Sequence, residues 1–391
     1  MDRIRSTDYT VSYFKTTFPH RQLFDFYKAH TEGRPENREF CIEAAEWRRR
    51  FQDAETVDRL EKLTHTNGIR ALHAGAVYSQ RASQARVPGV VAMHRELVFD
   101  LDLQDVPWIS GDKSDLEHGD RFMPLIFASA NILKVLLEQI FDFKSFMLVY
   151  SGRRGVHLYV LDRRAFELSS EGRKAVCAMV SLPPRHKAGS STTFLNTFLN
   201  PSVESPEVAE SMDYAIDVAM SADRCNMLGS RVDIAKFAAF FSEWDSKTLP
   251  SPCRETTTVA LCQCESPGER FQYLMKTHRF AFRDALVSIV WPRCDAEVTS
   301  SLQHTIKTPF SLHASTGRVA LPLPIDAFEQ GWHPSRSSLE NVLADRGASA
   351  HAPQCSFEGA IKRLSTVALG IDAEQRALKR KRDERPGVED W

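Results

Sequence analysis

Apolar residues recur at helical spacing from the start of the chain. Val11, Phe14 and Phe18, then Leu23, Phe24 and Tyr27, mark an amphipathic stretch over Tyr9–His30, and Pro19 divides it into two short helices. A further helix is predicted over Asp58–Leu63, while Arg38–Trp47 is mixed and supports no single assignment. Gly75–Tyr78 and Glu96–Leu103 read as strands, the second alternating aliphatics with acids. Val106–Met123 is a polar, acidic loop. A long buried helix over Pro124–Phe141 follows, with Pro124 near its first turn. Met147–Ser151 and Val156–Leu161 form two strands joined by Gly152-Arg-Arg-Gly155, whose glycines permit unusual backbone angles.

Beyond Leu182 the pattern changes. Pro183, Pro184 and Gly189–Thr193 read as a linker. Thr193–Thr277 is mostly helical and polar, and Phe280–Val290 is an apolar helix. Arg318–Leu323 is strand-like, and the tail holds helices near Ser338–Ala344 and Phe357–Leu369. The expected fold class is α/β (α+β): a core with a mixed sheet flanked by helices, built from residues 1–182 and 283–325. A helical insertion over 183–282 interrupts it, and a charged helical tail covers 326–391.

Charge adds little on its own. The 391 residues carry 50 basic and 51 acidic side chains, so the net charge is −1. That excludes a uniformly basic coat protein but not a nucleic-acid partner, because phosphate binding depends on where basic side chains cluster. The longest apolar runs, around Ile132–Leu137 and Leu286–Trp291, fall short of the roughly 20 residues that cross a bilayer, so no membrane association is expected. Met1-Asp-Arg-Ile-Arg has no apolar signal core, and the eight cysteines are scattered, which suits reduced thiols inside the cell.

Three constellations carry chemistry. In Glu96-Leu-Val-Phe-Asp100-Leu-Asp102, residues two apart share a strand face, so Asp100 and Asp102 stand side by side. Two carboxylates held close repel, and a hard divalent cation relieves the repulsion; a solvated strand edge is the bland alternative. In Tyr150-Ser151-Gly152-Arg153-Arg154-Gly155-Val156-His157, two arginines between glycines suit phosphate oxygens; the alternative is a hairpin tip with incidental charge. The third is Pro292-Arg-Cys-Asp295 followed by Lys307-Thr-Pro-Phe-Ser-Leu-His313. It offers a third carboxylate and two phosphate-binding side chains, or else a helix cap and a solvated lysine.

Taken together, Arg38-Glu-Phe40, Gly75-Ala-Val-Tyr-Ser79, Glu96–Asp102, Tyr150–His157 and Pro292–Arg318 resemble, in order and spacing, the small catalytic subunit of archaeal and eukaryotic primases. Ser151-Gly-Arg-Arg-Gly-Val-His157 and Lys307-x-Pro-Phe-Ser-x-His313 are the most specific strings, and the likeness runs to about Leu323. The resemblance implies a DNA-directed RNA polymerase that makes short RNA primers on single-stranded DNA from ribonucleoside triphosphates. Asp100, Asp102 and Asp295 would hold two Mg²⁺ or Mn²⁺ ions. Ser151, Arg153, Arg154, His157, Lys307 and His313 would contact the nucleotide phosphates, with Glu39 and Arg50 beside them; Arg48, Arg49 and Arg50 compete for one aligned position. A primase large subunit and the DNA polymerase alpha complex would be partners, in the nucleus, for which Lys379-Arg-Lys-Arg382 is a compatible import signal. A primase-polymerase using deoxynucleotides and a non-catalytic scaffold are the rival readings.

Two departures from the family pattern stand out. The Val106–Met123 loop has no cysteine, so the family's structural zinc is not expected there; Asp112, Asp115 and His118 read as a solvated acidic loop. His73 stands where relatives often carry aspartate, which bears on ribose recognition.

Overall fold

A computed structural model describes residues 2–106, 116–181, 205–244, 253–344 and 353–383. Among the described residues, nine strands form two antiparallel sheets. The first joins β1 (Arg38–Ala44), β2 (Arg48–Gln52), β3 (Ile69–Tyr78) and β4 (Ala92–His94) in the order β2-β1-β3-β4, with β8 (Ile306–Lys307) also paired to β3. The second joins β5 (Leu97–Asp102), β6 (Phe146–Tyr150), β7 (Gly155–Val160) and β9 (Leu321–Leu323) in the order β5-β7-β6-β9. With helices packed around both sheets, the fold is α+β, as expected.

Several element boundaries differ from the sequence reading for physical reasons. Arg38–Ala44 is a strand whose residues are nearly all buried, so it lacks the alternation that identifies a half-exposed strand. Even Arg38 is buried, held by Glu96 at 2.6 Å and by the carbonyl of Gly75 at 2.8 Å. The long helix begins at Leu116 rather than at Pro124, which lies inside it. Tertiary bonds hold the added turns. Arg121 Nε donates to the carbonyl of Cys225 at 2.9 Å and Nη1 to Asp233 at 3.0 Å, while Asp120 pairs with Arg318. Gly119–Phe141 is long and apolar enough to cross a membrane by length and composition, yet Phe122, Leu125, Ile126, Leu133 and Leu137 are buried in the protein core.

The first helices, Asp2–Thr16 and His20–Lys28, flank Pro19 as the sequence implies. The described residues from Pro206 to Val290 are largely helical, through Pro206–Met220, Arg231–Trp244, Cys253–Gln263, Pro267–Thr277 and Arg279–Val290. Ser205 and Ser266 cap two of these, each accepting a backbone N–H at 3.2 Å. Their apolar faces join the same hydrophobic core as the sheets: Val208, Phe237 and Phe282 belong to one cluster with Leu125, Val149 and Val156. The last helix runs over Phe357–Asp383. Residues 182–204, which include the linker at Pro183, Pro184 and Gly189–Thr193, together with Asp112, Asp115 and the tail beyond 383, lie outside the described residues.

Candidate active site

β5 sets the first two carboxylates. In its register with β7, Asp100 lies opposite His157 and Asp102 opposite Gly155. The His157 Nε2–Asp100 Oδ1 separation is 3.8 Å. Gly155 permits this approach, because a Cβ there would sit 2.6 Å from the carbonyl of Leu101. Gly152 has φ +92, a left-handed conformation, and a Cβ there would meet Cβ of His313 at 2.8 Å. The two glycines thus let the arginine hairpin fold down onto both the acidic strand and the His313 segment.

Asp295 reaches the same place from far along the chain. Its backbone N–H donates to the carbonyl of Asp100 at 3.1 Å. Its carboxylate caps the Ala296–Ser300 helix, accepting from the amides of Glu297 at 2.8 Å and Val298 at 3.2 Å. Capping and convergence on Asp100 therefore coexist. Burial first, with Asp102, Asp295 and Asp105 acting in the same direction and Lys307 against them, raises the Asp100 pKa to about 7.

Asp105 is a residue the sequence reading missed. The single turn Leu103–Asp105 follows β5, capped by Asp102 Oδ1 on the amide of Gln104 at 2.8 Å. That turn returns Asp105 toward Asp102 and Asp295, and burial together with those two charges raises its pKa. The spacing Asp102-Leu-Gln-Asp105 was the available signal, since a tight turn places residues three apart on one side.

A cationic wall faces the acids. Lys307 Nζ donates to the carbonyl of Ser151 at 3.1 Å, joining β8 to the hairpin. Burial lowers its pKa to about 8, while Glu43 and Asp100 hold it up. Arg154 Nε donates to Asp102 Oδ1 at 2.9 Å. Arg153, half-buried, lies in the same hairpin, and its carbonyl accepts from Tyr150 Oη at 2.8 Å. Burial lowers the His157 and His313 pKa values to about 3, with Lys307 adding to the effect in each, so both rings are neutral at physiological pH. The amide of Ser315 donates to His313 Nδ1 at 3.3 Å, which leaves the ring proton on Nε2 as a donor.

The other residues chosen from sequence sit on the first sheet. Glu39 is fully buried and saturated: Arg50 grips both its oxygens, at 2.8 and 2.9 Å, while the amide of Phe51 and Tyr78 Oη each donate at 3.2 Å. Glu39 thus anchors Arg50, and only Arg50, with a side chain 32% exposed, offers a surface to a ligand. His73 lies opposite Lys307 in the β3–β8 register, and its Nε2 bonds Glu43 Oε2 at 2.8 Å. A carboxylate, Glu43, therefore stands one strand away from the position where a family aspartate is replaced.

The donor set fits a divalent ion. Mutually repelling carboxylates, one pushed to about 7 and opposed by a single lysine, form a hard oxygen site with excess negative charge. Among the described residues, no three His, Cys, Asp or Glu groups are gathered as a ready-made ion cage. Two carboxylates explain this: Asp102 Oδ1 is turned to Arg154 and Asp295 Oδ1 to its helix cap. Among the described residues, no hydrogen bond reaches the second oxygen of either.

Comparison with known proteins identifies the family. The family description for the DNA primase small subunit matches residues 99–325, a span from Phe99 in β5 to just beyond β9. The DNA primase small subunit of Caenorhabditis elegans is 26% identical over 319 residues, covering 73% of this chain and 75% of that protein. The Saccharomyces cerevisiae small subunit is 22% identical over 332 residues, covering 80% of each. The small subunit of Picrophilus torridus is 22% identical over 291 residues, covering 73% of each. A match across more than half of the chain, taking in Asp100, Asp102, the arginine hairpin and the Asp295–His313 segment, establishes that this protein belongs to the DNA primase small subunit family.

Proposed function

We propose that this chain is the catalytic subunit of a primase, which joins ribonucleoside triphosphates into short RNA primers on a single-stranded DNA template at the start of replication. The observation that carries the reading is the meeting of Asp295 with Asp100 and Asp102, opposite Lys307, His313 and the Arg153-Arg154 hairpin.

In this reading Asp100, Asp102 and Asp295 hold two Mg²⁺ or Mn²⁺ ions, with Asp105 supporting from behind. Bound ions would make the attacking 3′-hydroxyl more acidic and offset charge on the leaving pyrophosphate. The chain's own residues do the positioning. Lys307 gives a point charge and His313 Nε2 a neutral donor, and Arg153 adds a fork for triphosphate oxygens. Arg154, now paired with Asp102, shares its guanidinium between that acid and the nucleotide. His157 stays neutral, packing beside Asp100 without competing as a cation. Held in this way, the reacting groups need little further reorganisation.

In the same reading the chain works as a heterodimer with a primase large subunit, in association with the DNA polymerase alpha complex, in the nucleus. The test is a priming assay on single-stranded DNA with labelled ribonucleotides and Mg²⁺ or Mn²⁺, with and without the large subunit. Asp100→Ala and Asp295→Ala should each abolish dinucleotide formation while leaving the circular dichroism spectrum unchanged. Undiminished synthesis by either variant would remove the metal-site assignment.

A further inference from the structure

The free edge of the first sheet carries an unusual sequence for an edge strand: Trp47-Arg48-Arg49-Arg50-Phe51, running into and along β2. Charged side chains alone suffice to keep an edge strand from pairing with another chain. Here a run of three arginines is bracketed by two rings, and guanidinium groups pack on both rings. Arg49 lies over Trp47 at 5.1 Å. Phe51 is flanked by two guanidinium groups, Arg50 at 4.8 Å and Arg86 at 5.2 Å, the latter from the segment between β3 and β4. Trp47 is 37% exposed, and Arg48, Arg49 and Arg86 are exposed.

The charge at this edge is not internally balanced. Arg50 is matched by Glu39, and Arg81 by Asp53 and Glu55. Arg49 and Arg86 form no ion pair among the described residues, and Glu46 is the one exposed acid between Ala45 and Phe51; Arg48 instead lies opposite Glu43 and donates through Nε to Cys41 Sγ at 3.2 Å. Unpaired guanidinium groups on aromatic planes match a single nucleic-acid strand, whose phosphates take the charge and whose bases stack on the planes.

The edge is also tied to the loop that precedes Lys307. Arg48 Nη2 donates to Thr305 Oγ1 at 2.5 Å and Arg50 Nη2 to the carbonyl of Gln303 at 2.8 Å. These residues belong to the loop that leaves the Asp295-capped helix and enters β8, where Lys307 sits. A strand lying along this edge would run beside the loop that joins the Asp295-capped helix to Lys307. We propose that Trp47, Arg49 and Arg86, with Arg48, form the binding track for the single-stranded template. This inference rests on the template-directed function proposed above. An acidic protein segment would satisfy the arginines but gives no role to the exposed Trp47 ring, so a nucleic-acid strand is the better fit.

The test uses the full-length chain and a fluorescent oligodeoxythymidine of about 20 nucleotides, with anisotropy measured at several salt concentrations. Arg49→Ala/Arg86→Ala should weaken binding about tenfold and flatten the log–log salt slope by about 1.4, since each phosphate contact on a single strand contributes about 0.7. Trp47→Ala should weaken binding about fivefold with the slope unchanged, as loss of one stacking partner requires. Trp47→Phe should recover most of that loss, which a folding defect would not allow. The KM for nucleotide at saturating template should stay within about twofold of wild type. Unaltered affinity and slope in both alanine variants would overturn the proposal, as would variants that keep DNA but lose the large subunit. Because DNA binding is measured apart from synthesis, a wild-type chain that binds DNA through this edge but makes no primer would sink the catalytic reading alone.

Discussion

The amide of Asp295 donates to the carbonyl of Asp100 at 3.1 Å, joining a helix cap near the end of the core to a strand almost two hundred residues earlier. This one main-chain bond fixes how far apart two like charges can stand. The result is a cluster of acids that is unfavourable by itself, a strain of the kind catalytic sites carry.

That strain should be measurable. Asp100 has its pKa raised to about 7, first by burial and then by Asp102 and Asp295. For a carboxyl raised in this way, the stabilising contribution is fully present below the unfolded pKa near 4 and is lost as pH rises through about 7. Metal-free protein should therefore become less stable between pH 5 and pH 8, judged from this site. Asp100→Asn should remove the repulsion and raise metal-free stability at pH 8 by about 1 kcal/mol, a discounted figure because the side chain is 31% exposed. The same variant should make no primer. Thermal unfolding in chelator, compared with unfolding in Mg²⁺, checks both signs; a variant less stable than wild type at pH 8 would contradict the repulsion.

Gly155 and Gly152 should tolerate no side chain. A methyl at Gly155 meets the carbonyl of Leu101, and β5 must shift with Asp100 and Asp102 on it. Gly155→Ala is expected to cost about 2 kcal/mol and to lower kcat by more than tenfold at saturating nucleotide. Gly152→Ala combines a contact with His313 and a positive φ, and should chiefly raise the KM for nucleotide. Urea unfolding beside steady-state kinetics separates the two effects.

The legible parts of this protein were those in which chemistry and local pattern coincide. Asp100 and Asp102 share a strand face by simple alternation, and the hairpin glycines announce a turn. Arg38–Ala44 was unassigned because a strand buried on both faces has no alternation to read. The start of the long helix was misplaced because contacts to Arg121 and Asp120, made from distant segments, hold turns that local propensity leaves open. Glu43 and Asp105 escaped notice for a related reason: one gains meaning only across the sheet from His73, the other only after a tight turn. Arg50 was placed beside the nucleotide site, but its grip on buried Glu39 depends on the register of β1 and β2.

That grip gives a prediction about Arg50. Arg50→Ala leaves the Glu39 carboxylate buried with only Phe51 and Tyr78 as donors, and should cost about 2–3 kcal/mol. Adding Glu39→Gln removes the stranded charge and should restore part of the stability. If Arg50 also holds the nucleotide, the double variant will keep a raised KM despite recovered stability. Recovery of both together would assign Arg50 a purely structural role.

Lys307 should impose an alkaline limit on nucleotide capture. Burial draws its pKa down to about 8, so the ammonium is present below that pH and lost as pH rises through it. Glu43 is the largest influence holding the charge on, across the sheet from its His73 partner. The value of kcat/KM for nucleotide, which reports the free enzyme, should decline above about pH 8. Glu43→Gln should move that decline to lower pH, because one opposing charge is gone. Lys307→Arg should abolish the decline even where it lowers the plateau, since a guanidinium keeps its charge throughout the range. A profile flat to pH 9 in the wild-type chain would show that the lysine charge does not limit nucleotide binding. A Glu43→Gln profile superimposable on wild type would separate Glu43 from the lysine altogether.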